Sequence, residues 1–94
     1  MFVIIAQWYA KEGKQDEVKA LLTAMIPISR AEPGCRAYFM HQGADDPRKF
    51  FLYEQFDDKA AFDAHCASQP FKDVVLGQIV PMLESRVREN VHLI

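Results

Sequence analysis

Residues 50–71, FFLYEQFDDKAAFDAHCASQPF, limit the fold of this chain more than any other stretch. Residues 50–56 are rich in aromatic side chains and bounded by polar residues, which predicts a strand. Asp57 and Asp58 follow, and either side chain is able to cap a helix by accepting a hydrogen bond from a free backbone N–H. The alanine-rich run 59–67 predicts a short helix. Ser68 and Pro70 then predict the start of another helix, because proline is tolerated in a first turn.

Two polar residues of this stretch fall at positions where the pattern predicts burial. The period of two places Glu54 on the same strand face as Leu52 and Phe56. His65 shares a helical face with Phe62, because residues three apart lie on one side of a helix. Glu54 and His65 are therefore predicted to meet in one polar contact between the strand and the helix.

The rest of the chain supplies three further strands and two longer helices. Strands are predicted over 2–10, 36–42 and 83–93, and helices over 14–31 and 69–80. Pro27 falls inside the first of these helices and predicts a kink or an early end, because proline lacks an N–H. The predicted buried stripe of that helix is Val18, Leu21, Leu22, Met25 and either Ile28 or Ser29. The stripe of the last helix is Phe71, Val74, Val75, Gln78, Ile79 and Met82.

The predicted order is β-α-β-β-α-β, the split βαβ arrangement. Its usual form is a four-stranded antiparallel sheet with helices on one face, which leaves the other face bare. Trp8 and Tyr9 in the first strand, and Phe51 and Leu52 in the third, place large apolar groups on both faces. A bare apolar face of this kind is larger than a monomer usually exposes. The pattern therefore predicts a homodimer that associates through the two sheets.

Composition and charge exclude several classes of protein. The 94 residues predict a single domain over 1–94, and 50% hydrophobic residues are too many for a disordered chain. A net charge of −2 without a basic patch argues against a nucleic-acid partner. No apolar run approaches about 20 residues, so no membrane span is predicted. Residues 1–10 lack the features of a signal peptide, and a cytoplasmic location with free thiols at Cys35 and Cys66 is expected.

Ligand motifs for metals and phosphates are missing from the sequence. No HxH, HxxxH or CxxC spacing accompanies the histidines and cysteines, so no metal site is predicted. The four glycines do not form a phosphate-binding loop or a dinucleotide fingerprint.

The candidate chemistry centres on His65, for which two interpretations stay open. It is a general acid/base, since imidazole titrates near neutral pH, or a core histidine whose ring nitrogens are satisfied internally. Glu54 is expected to orient the ring by accepting its N–H. The aromatic residues are either plain core or the walls of a pocket for a flat substrate. They are Trp8, Tyr53, Phe56, Phe62 and Phe71.

The same residues carry a resemblance to a known family. Its block of residues is present as Lys49 to Phe56 followed by Asp58, Ala61, Phe62, His65, Ser68 and Phe71. Upstream, Glu32-Pro33-Gly34-Cys35 is similar to an E-x-G-C turn. Together they resemble the antibiotic biosynthesis monooxygenase family, over nearly the whole chain.

The resemblance implies a ferredoxin-like protomer, a homodimer with a barrel-like core, and a pocket between the helices and the sheet. It implies a monooxygenase that acts on a quinol-like or phenolic small molecule without a metal, flavin or other cofactor. His65 would be the catalytic base, with Glu54 as its orienter. Two alternatives stay open: an isomerase of the same family that acts on a small hydroxy-ketone, and a non-catalytic dimeric module that binds a ligand. The haem-degrading branch resembles this chain least, so no haem is expected.

Overall fold

The computed structural model describes residues 1–94, which form one four-stranded sheet and three helices. The elements are β1 (Phe2–Ala10), α1 (Gln15–Arg30), β2 (Cys35–Gln42), β3 (Lys49–Phe56), α2 (Lys59–Ala67), α3 (Phe71–Ile79), a short 3₁₀ turn (Val80–Met82) and β4 (Leu83–Val91). The strand order is β2-β3-β1-β4, and every neighbouring pair is antiparallel. The predicted ferredoxin-like α+β order is therefore confirmed.

One face of the sheet, which we call the covered face, packs against the helices. Its core comprises Ile4, Ala6, Trp8, Leu52 and Phe56, all of which are buried. The register explains why they meet, since Ile4 lies opposite Glu54 and Ala6 opposite Leu52 across β1 and β3. Side chains that alternate along each strand thus converge on one layer. This layer joins the buried stripes of α1 and α3 in a single hydrophobic core.

Helix α1 passes through Pro27, where the sequence predicted a kink or an early end. It continues to Arg30, and the Ala31 N–H donates to the Pro27 carbonyl. Proline removes only one N–H, and contacts beyond it hold the last turn in place. Nε and Nη2 of Arg30 donate to the Tyr38 carbonyl at 3.0 and 2.8 Å, which ties the end of α1 to β2. An early end at this proline was therefore wrong.

The buried stripe of α1 resolves the alternative that the sequence left open. Ser29 is fully buried, whereas Ile28 is 41% exposed. Val18, Leu22 and Met25 complete the buried set. Ser29, four residues after Met25, therefore faces the core, whereas the more hydrophobic Ile28 is partly exposed to solvent.

Helix α3 differs from the regular helix predicted over 69–80. It is a π-type helix whose hydrogen bonds span five residues, so that the Val80 N–H donates to the Val75 carbonyl. Only Val75 and Ile79 of the predicted stripe are fully buried. Gln78, predicted to face the core, is exposed, and its side-chain amide donates to the Asp73 carbonyl at 3.3 Å. The wider winding rotates Gln78 away from the core.

The other face of the sheet, which we call the open face, has no helix over it. Each strand contributes one large exposed apolar side chain: Ile5, Phe39, Phe51 and Val87. Three of them, Ile5, Phe51 and Val87, line a shallow depression of about 410 Å³. The open face therefore has the apolar character that the sequence predicted for it.

Candidate active site

A small cavity lies on the covered face, between the sheet and the helices α2 and α3. Its volume is about 30 Å³, roughly the room for one water molecule. Its wall is formed by residues of strands β1, β3 and β4 and of helices α2 and α3. The lining residues are Ile4, Ala6, Trp8, Glu54, Phe62, Phe71, Arg86 and Arg88.

Glu54 is the acidic group of this cavity. Its strand β3 is interior to the sheet, and its neighbours across the strands are Ile4 and Tyr38. The residue is only 6% exposed, and its Oε1 atom has no hydrogen-bond partner. Burial raises the pKa of Glu54 from 4.5 to about 7, although nearby Arg88 opposes that rise. A carboxyl group of this kind is able to exchange a proton near neutral pH.

His65 lies on α2 directly behind Glu54. Of the two capping residues that the sequence left open, Asp58 caps this helix, because its carboxylate accepts from the Ala61 N–H at 2.9 Å. The ring is 2% exposed and packs against aromatic rings on several sides. Centroid distances are 5.2 Å to Phe56, 5.2 Å to Phe71 and 5.8 Å to Tyr38. The imidazole is therefore held in one place by tight packing.

Two carboxylates flank the His65 ring. Nδ1 lies 2.6 Å from Oε1 of Glu32, a short hydrogen bond, and Nε2 lies 3.6 Å from Oε1 of Glu54. Glu54 and His65 do meet, as predicted, but their separation exceeds the usual range of a hydrogen bond. The residue within hydrogen-bond distance of the ring is therefore Glu32, in the turn before β2, and not Glu54.

The structure brings three of the five predicted aromatic residues to the cavity. Trp8, Phe62 and Phe71 form part of its wall. Phe56 lies behind the wall, fully buried, with its ring 5.4 Å from that of Phe62. Tyr53 is not brought to the cavity, because its side chain projects from the open face, where Gln55 donates to its hydroxyl oxygen.

Two cations of the cavity were not singled out from the sequence. The guanidinium of Arg86 lies 5.8 Å from the centre of the Trp8 ring, and that of Arg88 lies 5.0 Å from the centre of the Phe62 ring. Neither arginine is within ion-pairing distance of a carboxylate. The alternation of arginines along β4 was the available signal, and it also fits an exposed edge strand.

The remaining candidate groups lie outside this cavity or are unreactive by position. Cys35 and Cys66 are free thiols, and burial raises the pKa of each. No three histidine, cysteine or acidic side chains are grouped so that they would hold a metal ion. No helix has both the length and the apolar character needed to cross a membrane.

The fold and cavity define a small ferredoxin-like α+β protein with an acidic group in an aromatic pocket. Comparison with known proteins gives the family. Residues 1–75 match the sequence model of the antibiotic biosynthesis monooxygenase family. The chain therefore belongs to this family.

Individual relatives agree with this assignment. Rv0793 of Mycobacterium tuberculosis, whose provisional name is that of a monooxygenase, is 35% identical over 65 residues. That match covers 69% of this chain and 63% of Rv0793, and a match to sll1783 of Synechocystis covers 50% of that protein. The chain thus matches between half and two thirds of the length of these relatives.

Solved structures extend the likeness to the whole fold. The crystal structure of SO0527 from Shewanella oneidensis is 35% identical, with a TM-score of 0.91, over 98% of this chain and 89% of that one. A crystal structure titled antibiotic biosynthesis monooxygenase is 29% identical, with a TM-score of 0.93, over 100% of this chain and 99% of that one. The ferredoxin-like arrangement is therefore that of the family.

Proposed function

We propose that this protein is a monooxygenase that uses dioxygen to oxidise a quinol-like or phenolic substrate, with Glu54 as the base. The observation that carries the proposal is Glu54 itself: it lines a cavity walled by aromatic rings, it is buried, and its Oε1 atom has no hydrogen-bond partner. The family to which the chain belongs supports the type of reaction, and the character of the wall supports a flat aromatic substrate.

The proposed reaction balances without any further reductant. A phenol with hydrogen at the reacting carbon and one molecule of dioxygen give a quinone and one molecule of water. The phenol first loses its O–H proton, which leaves a phenolate with carbanion character at the ring carbon. That carbon bonds to oxygen, and a proton moves to the distal oxygen. The O–O bond then breaks as the ring C–H proton is lost, so both substrate protons end in the water released.

In this reaction Glu54 takes up the phenolic proton. A free phenol resembles tyrosine, with a pKa of about 10, and the pKa of Glu54 is about 7. The pKa of the phenol is thus about 3 units above that of Glu54, and stabilisation of the phenolate as it forms lowers the pKa of the phenol and reduces this difference. Arg86 and Arg88 supply two positive charges on the cavity wall for this purpose.

Binding of an aromatic ring requires the cavity to enlarge, because about 30 Å³ accommodates no more than a water molecule. The exposed side chains of Arg86 and Arg88 form the wall on the β4 side. Long arginine side chains change rotamer easily, whereas the ring of Trp8 is buried in the sheet layer. We therefore propose that the substrate enters between β4 and α3 and displaces the two arginine side chains.

We also propose that a second copy of the chain covers the open face. Ile5 and Val87 are 49% and 61% exposed there, on adjacent strands. Two sheets that pack face to face bury such side chains from both partners. The homodimer would support β1 and β3, the strands that carry Trp8 and Glu54, from the opposite side.

Oxygen uptake with a panel of quinols and polycyclic phenols tests the proposed activity. The wild-type protein is expected to consume oxygen with at least one compound, and Glu54→Gln is expected to slow that reaction by about 10²–10⁴-fold, the usual contribution of a general base. Glu84→Gln is the control, since this carboxylate pairs with Arg48 at the surface, away from the cavity. Uptake by Glu54→Gln at the wild-type rate would overturn the role of Glu54.

A further inference from the structure

His65 is the one buried histidine, and each of its ring nitrogens faces a carboxylate. Glu32, on the Nδ1 side, has a side chain that is 23% exposed, whereas the Glu54 side chain on the Nε2 side is 8% exposed. The ring thus lies between a carboxylate at the protein surface and one in the cavity. Glu32, His65 and Glu54 form a row, and the reaction proposed above gives a role only to Glu54.

We propose that Glu32 is a positioning residue that keeps the His65 proton on Nδ1, so that Nε2 stores the proton that Glu54 takes from the substrate. The proposal rests on the proposed function and deepens it. In this proposal Glu32 is the ionised partner, and because an ionised carboxylate only accepts hydrogen bonds, the proton of the 2.6 Å contact lies on Nδ1. The lone pair of a neutral ring then points from Nε2 toward Glu54.

The proton path closes on itself in each turnover. The phenolic proton passes to Glu54 and from Glu54 to Nε2, which forms an imidazolium between two carboxylates. The same proton returns through Glu54 to the distal oxygen of the bound peroxide, before that oxygen leaves as water. The Nδ1–H bond to Glu32 is retained throughout, so the tightly packed ring never has to turn over.

The geometry allows the transfer with little rearrangement. Oε1 of Glu54 and Nε2 of His65 are 3.6 Å apart, and a hydrogen bond needs about 3 Å. Since Oε1 of Glu54 has no other partner, rotation of the carboxyl group toward the ring breaks no existing hydrogen bond. The resting distance also leaves Glu54 free to turn toward a substrate in the cavity.

The environment of the His65 ring explains why an imidazolium there needs the Glu32 carboxylate beside it. His65 is packed among Tyr38, Phe56, Phe62 and Phe71, which offer little to stabilise a positive charge by hydrogen bonding. The titratable and charged groups that face this row from the packed elements are Arg88 on β4, Cys35 and Tyr38 on β2, and Cys66 on α2. Arg88 is positive and disfavours an imidazolium nearby. Glu32 therefore supplies the negative charge that offsets it.

Nitrogen-15 NMR of the histidine rings tests the proposal without a substrate. The chain has three histidines, and His65→Ala identifies the signal of His65. In the wild-type protein the neutral ring is expected to carry its proton on Nδ1, and the Nε2 signal is expected to shift as the Glu54 carboxyl titrates. In Glu32→Leu the Nδ1–H form is expected to lose its dominance, because leucine offers no oxygen to accept a hydrogen bond from Nδ1.

The control and the contrary outcomes separate this proposal from the proposed function. Glu84→Gln is expected to leave the His65 signals at their wild-type positions. A wild-type ring with its proton on Nε2, or an unchanged tautomer in Glu32→Leu, would overturn the positioning role whatever the protein catalyses. The wild-type spectrum decides the first point even where Glu32→Leu fails to fold. Failure of Glu54→Gln to slow oxygen uptake overturns the proposed base and leaves the tautomer result intact.

Discussion

The covered face and the open face of the same sheet have different tasks, although both are rich in apolar residues. On the covered face the helices exclude water, and two polar groups, Glu54 and His65, are buried among aromatic rings. On the open face Ile5 and Phe51 remain 49% and 39% exposed. Adjacent residues of one strand thus face either a buried core or an exposed apolar surface. The difference shows that apolar character alone does not identify the core, because the topology decides which face is covered.

Two phenylalanines on β3 test this comparison most strongly. Phe56 is fully buried on the covered face, and Phe56→Ala is expected to lower the free energy of unfolding by about 3–5 kcal/mol through lost burial and a cavity. Phe51→Ala removes the same atoms from the open face and is expected to cost far less at low protein concentration. Its cost should grow with concentration, because it weakens the proposed dimer. Urea unfolding at several concentrations measures both, and equal losses would contradict the comparison.

Stability should also depend on pH through Glu54. Its pKa is 4.5 in a solvated chain and about 7 in the folded protein, so the folded state holds more protons between these values. Wild-type stability is therefore expected to fall as pH rises from about 4.5 to 7, by about 3 kcal/mol, and to change no further above that range. Glu54→Gln cannot titrate and should lack this loss.

Urea unfolding of both proteins across this pH range measures the difference. Glu84→Gln, which changes a half-exposed carboxylate, serves as the control and should keep the wild-type slope. A constant difference between wild type and Glu54→Gln from pH 4.5 to 8 would show that Glu54 is not buried as a neutral acid.

The open face yields the third prediction. Ile5→Lys places a charge near the centre of the proposed interface and is expected to weaken the dimer by at least about 2 kcal/mol, roughly 30-fold in the dissociation constant. Light scattering should then report a mass of 10.8 kDa where the wild type gives twice that value. Leu76→Lys is the control, because Leu76 is equally exposed but lies on α3. A wild-type protein that is monomeric at micromolar concentration would remove the proposed role of the open face.

The sequence predicted the sheet and the helix order because those signals are local. Alternation along β1 and β3 and the Asp58 cap depend on residues that lie within a few positions of one another. The sequence predicted α1 as far as residue 31 and was wrong only in allowing an early end at Pro27. The π-type winding of α3 was not predicted, because the hydrophobic period of a sequence does not signal hydrogen bonds that span five residues.

The sequence also predicted part of the site, namely that Glu54 and His65 lie close together, but it did not predict the contact of His65 with Glu32. Glu54 and His65 stood out as polar residues in apolar patterns, and the structure places them 3.6 Å apart. Glu32 was noted only as part of the E-x-G-C turn, and it is 33 positions from His65 in the chain, so the sequence did not predict their contact. Pairing between such distant residues depends on how the turn folds onto α2. Gly34 permits that approach, since a Cβ on it would lie 2.3 Å from Cβ of Ala61.

The smallest expected effect concerns the local signal that begins α2, the helix that holds His65 against the covered face. Asp58→Ala removes the cap on the Ala61 N–H and is expected to cost about 1 kcal/mol of stability. Asp57→Ala is the matched control at the preceding position, because Asp57 pairs with Arg36 at the surface and does not cap the helix. Urea unfolding should therefore rank Asp58→Ala below Asp57→Ala in stability. The reverse order would mean that the Asp57–Arg36 pair stabilises the protein more than the cap on α2 does.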